Sequence, residues 1–480
     1  MSSPDLNAIF FPKTVALIGA SANPSSFGFY FMEHFKSYGY EGELYPINPK
    51  SPEIMGLKTY PSLDQVPGKV DYVICCVALS NVPTILNQCH QKDVKFVHVF
   101  AGRGAETGRP EALQLENEIL RLGKEYGIRL LGPNCLGVYC PKSGLSFGYD
   151  FPKESGTVSA IIQSGGNATD TIRFSALRGI KFNKVVSYGN ALDINQNDLL
   201  KYFQQDDETK ILLCYLEGLK GDPREFLALL KDITKTKAVI VLKAGRTTAG
   251  ARQTLSHTAS LAGSGKIFET AIRQAGAIPV RNLDEMVNQA VAFYYLPPIS
   301  GKRVGLGGGG GGRNALSADE WEEHGFEIPP MPQEIKEYWK EKGSQLWDWL
   351  SNPVDFSITP GDPCNVTDTL IQMGKNPSFD FIVATVTEDL PFAKEAFLNQ
   401  LSGDTDGYIK IKEEIRKAFL VIFSDRALGI NQMDDWRWRA FAECRTRIVN
   451  SKIATFTNID QAAKAVTELI SYYNKRETRI

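Results

Sequence analysis

The sequence predicts an α/β protein with doubly wound parallel sheets, divided among about three domains. Three observations carry that prediction. The chain has 480 residues, more than one hydrophobic core of ordinary size accommodates. Short apolar runs alternate with helical stretches along most of its length, the pattern of successive β/α units. Several of those runs end in turns of glycine, serine and asparagine, where a parallel sheet carries its ligand-binding loops.

Composition narrows the function. The chain is 43% hydrophobic and 22% charged, with a formal net charge of −2. That balance gives no electrostatic case for nucleic acid or an anionic membrane as a partner. No apolar run approaches the ~20 residues of a membrane span. Residues Met1 to Asn7 are polar and lack the basic and apolar regions of a signal peptide. The eight cysteines form no CxxC. Cys75, Cys76 and Cys214 fall in apolar runs, as expected of reduced core residues in a cytoplasmic protein.

The first β/α series is expected to form a domain over residues 1–149. An apolar run, Thr14 to Ile18, ends in Gly19-Ala20-Ser21, and a loop leads to Gly28 and a helix from Phe29 to Tyr38. Further strands are expected at Glu43 to Ile47, Tyr72 to Val77, Phe96 to Phe100 and Arg129 to Leu131. Helices are expected at Val82 to Gln91 and Glu111 to Tyr126. Gly19 and Gly28 do not make G-x-G-x-x-G, and no acid closes the second strand to read a ribose diol. Asn48-Pro49-Lys50 stands there instead, and a lysine favours a phosphate. Glycine and serine amides ahead of a helix suit a second phosphate group. A nucleotide with a ribose phosphate and a diphosphate fits: coenzyme A or NADP. A Rossmann-like domain used only for packing is the alternative.

A second series is expected over residues 150–298. Strands are expected at Thr157 to Ile162, Lys184 to Ser187, Lys210 to Leu216 and Ala238 to Leu242. The first is followed by Gln163-Ser164-Gly165-Gly166-Asn167 and a helix from Ala168 to Arg178, an arrangement that offers N–H groups to an anion. The other strands end in Tyr188-Gly189-Asn190-Ala191, Glu217-Gly218 and Lys243-Ala244-Gly245-Arg246. Next comes Ser256 to Gly265, a small-residue loop holding His257, one of five histidines, and then a helix from Lys266 to Gln274. In a parallel sheet Ser164, Asn190, Glu217 and His257 would converge on one edge. A carboxylate beside an imidazole fixes its tautomer and leaves the other nitrogen nucleophilic. The alternatives are a surface histidine in a flexible loop, and a Glu217 that is an exposed acid at a strand end or pairs with Lys243 or Arg246.

The third series, expected over 299–480, follows a linker at Leu296-Pro297-Pro298. Arg303 to Leu306 runs into six glycines, Gly307 to Gly312, and a helix from Asn314 to His324. The glycine run lacks the Gly-Lys-Ser/Thr ending of an ATP-binding P-loop. It is expected to be a flexible loop, or part of a nucleotide or subunit contact. Strands are expected at Phe381 to Val386, Ala418 to Phe423 and Ile453 to Thr457. The tryptophans at 339 to 349 and at 436 and 438 are expected in the core or at a subunit interface.

Gly132-Pro133-Asn134-Cys135-Leu136-Gly137 closes the fifth strand. With Gly19-Ala20-Ser21, Asn48-Pro49-Lys50 and the His257 loop, it resembles the α subunit of ADP-forming acetate–CoA ligases. These are nucleoside-diphosphate-forming acyl-CoA synthetases related to succinyl-CoA synthetase. The resemblance spans the chain, strongest to about residue 298 and weaker beyond. It implies an N-terminal Rossmann-like CoA-binding domain followed by two flavodoxin-like, succinyl-CoA synthetase-like parallel-sheet domains. It implies that His257 is the phosphorylated nucleophile, that Glu217 orients it, and that Ser164, Gly165, Gly166 and Asn190 bind phosphate. Coenzyme A would meet Gly19, Ala20, Ser21, Gly28, Asn48, Lys50, Val77 and Asn134. Residues near Tyr188 and Ala191 would shape the acyl pocket.

The family's ATP-grasp module is not seen in this chain. The resemblance therefore implies an ATP-grasp β subunit that binds ATP or ADP with Mg2+, in an α2β2 assembly. No metal ligand is assigned here. Two other readings stand beside this one. A non-catalytic CoA-binding regulatory protein would be free to lose His257, Glu217 or the Ser164 loop, and all three are present. An NADP-dependent oxidoreductase would need a hydride-transfer constellation that the second series lacks.

Overall fold

The computed structural model describes residues 5–258, 265–355, 361–386, 393–423 and 436–477. The chain divides into two compact units, Met1–Met286 and Val287–Ile480.

The first unit carries two large sheets. One holds β1 (Thr14–Ile18) and β2 (Glu43–Ile47). A small hairpin of β3 (Glu53–Ile54) and β4 (Leu57–Lys58) stands apart from it. The sheet continues with β5 (Tyr72–Cys75), β6 (Phe96–Val99) and β7 (Arg129–Leu131). Its order is β2-β1-β5-β6-β7, with every neighbour parallel. The other sheet holds β8 (Gly137–Tyr139), β9 (Val158–Ile162), β10 (Phe182–Ser187), β11 (Ile211–Leu216), β12 (Ala238–Lys243) and β13 (Ile278–Val280). Its order is β13-β12-β11-β9-β10-β8, parallel except for β8, which runs antiparallel to β10.

The second unit carries β14 (Val304–Gly309), β15 (Val354–Asp355), β16 (Phe381–Thr385), β17 (Ala418–Ile422) and β18 (Ala454–Phe456) in the order β15-β14-β16-β17-β18, all parallel. With the hairpin and β8 set aside, each of the three sheets runs 2-1-3-4-5 by strand order. The order reverses between β1 and β5, between β9 and β11, and between β14 and β16. Loops leaving the carboxyl ends at such a reversal diverge and open a crevice.

β9, β10, β11 and β12 are buried along their whole length, so none shows polar alternation. Ile161, Leu213 and Ile240 are fully enclosed. Burying a side chain of that size contributes ~1.5–3 kcal/mol.

Several boundaries differ from the sequence reading for identifiable reasons. The helix after β1 opens at Phe27, because Ser26 caps it. The helix after β9 opens at Gly165, so the glycines of the turn are its first residues. The glycine run is ordered backbone. Gly307 to Gly309 complete β14, and Gly311 and Gly312 begin the helix Gly311–Glu323. A Cβ at Gly307 would stand 2.9 Å from Leu370 Cδ2, so the bare backbone lets the helix Val366–Lys375 close on the strand. Trp339 is buried in the core of the second unit, and Trp436 and Trp438 pack against that core, while Trp349 is exposed.

Candidate active site

The crevice of the first sheet is built on a close contact between two glycines. Gly19 follows β1, and its N–H donates to the Ile47 carbonyl at 3.1 Å. Its φ is +87°, and a Cβ there would lie 2.8 Å from both the Cys76 carbonyl oxygen and Val77 Cγ1. A Cβ on Gly28 would overlap the Gly19 carbonyl oxygen. The loop thus returns tightly to the helix Phe27–Tyr38, where the Ser26 hydroxyl accepts from the Phe29 N–H at 3.2 Å. Beyond β2, Asn48 donates its amide to the Ala20 carbonyl at 2.8 Å and accepts from the Lys50 N–H at 2.8 Å.

Gly19, Ala20, Ser21, Gly28, Asn48, Lys50 and Val77 therefore gather around the ends of β1, β2 and β5. Lys50 is exposed, and the open helix end adds donors for an anion. Phe27, 57% exposed, offers a ring at the same rim, 4.4 Å from that of Phe100. Asn134 is not part of this group. It follows β7 at the far edge of the sheet, and its amide donates to Asn190 Oδ1 at 3.4 Å.

In the second sheet, the ends of β9 and β11 meet at the reversal. Ser164 caps the helix Gly165–Ala176, its hydroxyl accepting from the Asn167 N–H at 3.4 Å. The N–H groups of Gly165 and Gly166 stand at the first turn, where a helix has no internal acceptor for them. Around Gly166 a Cβ would meet nothing within 4 Å, so that side is open. Glu217, 8% exposed, directly follows β11. The Tyr215 hydroxyl donates to Glu217 Oε1 at 3.4 Å. Lys243 Nζ donates at 2.8 Å to the main-chain carbonyl of Glu217, and Arg246 Nη2 donates at 2.8 Å to the carbonyl of Arg281. Burial pushes the Lys243 ammonium below the usual lysine range, with the Glu217 charge opposing that shift.

Asn190 is engaged elsewhere. Its amide donates to Glu106 Oε2 at 2.8 Å, and its N–H donates to the Pro133 carbonyl at 3.0 Å. The expectation that its side chain faces phosphate thus meets an amide already held by Glu106 and Asn134. Tyr188 is fully buried and Ala191 is 4% exposed.

His257 lies in the last turn of the helix Thr248–Thr258 and not in a loop, since Ala249, Ala251 and Gln253 carry helical structure into the small-residue stretch. Its side chain, and all of residues 259–264, lie outside the described residues. The helix packs against the turn Ala105–Thr107, which holds Glu106. Sequence reasoning missed Glu106, a lone acid in a polar glycine stretch, and also missed Gln163. Gln163 had a signal: it is a polar residue directly after the apolar run Ala160-Ile161-Ile162 and before the glycine turn. Among the described residues no group of three or more His, Cys, Asp or Glu is placed to hold a metal ion. No described helix is long and apolar enough to cross a membrane.

Comparison with known proteins agrees with this fold. Residues 13–141 match the CoA binding domain family, and residues 155–293 match the succinyl-CoA ligase like flavodoxin domain. The alpha subunit of acetate–CoA ligase (ADP-forming) I of Pyrococcus furiosus is 38% identical over 73% of this chain and 76% of its own length. The ADP-forming acetate–CoA ligase of Methanocaldococcus jannaschii is 37% identical over 73% of this chain, and the match spans 49% of that longer protein. A solved dinucleotide forming acetyl-coenzyme A synthetase 1 of Ca. Korarchaeum cryptofilum, in complex with phosphate and ADP, superposes with a TM-score of 0.80 at 29% identity, covering 98% of both chains.

Fold and strand-end loops together define an α/β ligase that handles acyl-CoA. The chain belongs to the family of ADP-forming acetate–CoA ligase alpha subunits, within the nucleoside-diphosphate-forming acyl-CoA synthetases. The naming of those relatives as alpha subunits implies a partner subunit.

Proposed function

We propose that this chain is the α subunit of an ADP-forming acyl-CoA synthetase. It interconverts acyl-CoA, ADP and phosphate with a carboxylic acid, CoA and ATP. The observation that carries the reading is the meeting of two strand ends: Glu217, directly after β11, is bonded through its N–H to Gln163, which follows β9 and leads into the Ser164-Gly165-Gly166 turn.

Residues 1–149 hold CoA through Gly19, Ala20, Ser21, Gly28, Asn48, Lys50 and Val77, with Asn134 at the edge facing the second domain. Residues 150–298 carry the chemistry, and residues 299–480 form the third domain. A phosphate oxygen attacks the thioester carbonyl, the C–S bond breaks, and CoA leaves as its thiol after taking a proton. The N–H groups of Gly165 and Gly166 hold the phosphate, with Asn190 fixing the neighbouring turn. A ring nitrogen of His257 then attacks phosphorus, and the P–O bond to the acyl oxygen breaks, releasing the acid. Glu217 holds the other ring nitrogen and stabilises the imidazolium that forms. Fixed amides suit a transfer that depends on positioning and charge stabilisation.

The phosphoryl group passes to ADP on an ATP-grasp β subunit, in an α2β2 assembly of the cytoplasm. Mg2+, bound there with the nucleotide, neutralises phosphate charge. The non-catalytic alternative is disfavoured by the buried Glu217 beside an open glycine turn, which CoA binding alone does not need. The test is turnover by the chain together with its partner. Sustained ADP release over many turnovers should require Mg-ATP, CoA and one member of an acid panel, and should be lost in His257→Ala. Release that persists in His257→Ala would refute the mechanism.

A further inference from the structure

We propose that Gln163 is a positioning residue for the Glu217 carboxylate, an inference that rests on the role given to Glu217 above. Gln163 is 2% exposed and lies where three strands end. Its N–H donates to the Tyr215 carbonyl at 3.2 Å, and its carbonyl accepts from the Gly189 N–H at 3.1 Å. Its side chain then crosses to β11. Oε1 accepts from the N–H of Glu217 and, at 3.0 Å, from the N–H of Gly218. Two donors on one atom fix which end of the amide is oxygen.

The nitrogen end gains nothing comparable. Nε2 is enclosed and has no hydrogen-bond partner among the described residues. A buried amide nitrogen without an acceptor is unfavourable, so packing alone would select an apolar side chain here. The benefit of a glutamine is on the oxygen side, where it holds the peptide groups on either side of the Glu217–Gly218 link.

Other contacts complete the clamp. Lys243 Nζ holds the Glu217 carbonyl at 2.8 Å, and the Tyr215 hydroxyl reaches the carboxylate at 3.4 Å. The Tyr188 hydroxyl is also buried without a partner among the described residues. Its pKa is raised by burial, with Cys214 and the Glu217 charge adding to the shift. Glu217 is thus held from three strand ends, its main chain by Gln163 and Lys243 and its carboxylate by Tyr215. A carboxylate that must meet the same nitrogen in every cycle needs that rigidity.

The experiment uses the assembled enzyme with its partner subunit. It measures the rate of phosphohistidine formation from Mg-ATP, and CoA affinity by calorimetry. Gln163→Met keeps the length and removes the acceptor. Gln163→Glu keeps an acceptor oxygen and adds a charge beside Glu217. The methionine variant should slow phosphoryl transfer about tenfold or more while leaving the CoA Kd within about twofold. The glutamate variant should recover most of the rate at alkaline pH, with the acidic limb of its pH profile moved up by about one unit, because a second carboxylate raises the pKa of the first.

A wild-type rate in Gln163→Met, or parallel loss of rate and CoA affinity, would overturn the proposal. If the methionine variant does not fold, an unmoved acidic limb in Gln163→Glu overturns it. Glu217→Gln separates the two claims. A wild-type rate there sinks the Glu217 role and this proposal with it. A slow Glu217→Gln beside a fast Gln163→Met sinks the Gln163 proposal alone.

Discussion

Gly28 lies so close to Gly19 that a methyl group at position 28 would occupy the space of the Gly19 carbonyl oxygen. The two glycines set how closely the β1 loop returns to its helix, and so where the Ala20 and Ser21 amides point. Gly28→Ala is expected to open that loop and weaken CoA binding by about tenfold or more, with an overpacking cost of ~1–3 kcal/mol in stability. Calorimetric titration of CoA, with a thermal melt beside it, checks both effects.

Lys50 tests which phosphate is read. It is exposed beyond β2, its backbone fixed by Asn48. If it meets the ribose phosphate, the protein binds CoA more tightly than dephospho-CoA by about tenfold or more, since a charge-assisted contact contributes roughly 1.5–3 kcal/mol. Lys50→Ala should abolish the difference by weakening CoA alone. Titration of NADPH in parallel checks the class of nucleotide, and CoA is expected to bind more tightly.

Glu217→Gln keeps the shape and removes the charge. The expected outcome is a fall in kcat of about 10²-fold or more with little change in the KM for CoA, because the residues that match the CoA binding domain family, 13–141, do not include Glu217. Steady-state kinetics with CoA varied decide this. A rise in KM at constant kcat would point to binding instead.

His98 gives the fold a pH dependence. It is 1% exposed, and its Nε2 lies 3.0 Å from the Cys135 carbonyl, so the neutral ring donates there. Burial lowers its pKa from 6.5 to about 4, against the opposing hydrogen bond. The unfolded chain takes up a proton near pH 6.5, whereas the folded chain stays neutral down to about 4. Stability therefore rises with pH across that window and levels off above it, by about 3 kcal/mol from this group. Urea unfolding at pH 4.5 and pH 7 should show the loss, and His98→Gln should show a smaller one.

Much of this was legible in the chain because parallel strands buried on both faces read as largely apolar runs, as in Ile211–Leu216 and, with Ser159 as its one polar residue, Val158–Ile162. What escaped had a physical reason. β8, β13 and β15 have only two or three residues each, too few to show a period, and β8 follows no helix because it runs antiparallel. The glycine run looked flexible because nothing in its composition announces Leu370 packed on Gly307. Ser164 and Glu217 stood out as strand-end residues. Gln163 did not, because its function depends on crossing to the neighbouring strand. Asn190 was assigned by its place on a strand end, and only the fold shows Glu106 reaching it.

The central claim is that His257 carries the phosphoryl group. The direct measurement is to assemble the chain with its ATP-grasp partner, add Mg-ATP, and map acid-labile, alkali-stable phosphate by mass spectrometry, with His257→Ala as control. Phosphate is expected on His257, discharged by CoA together with one acid from a panel, and none in the alanine variant. No phosphate on His257 while the partner is shown to bind would contradict the claim and leave a CoA-binding module in its place.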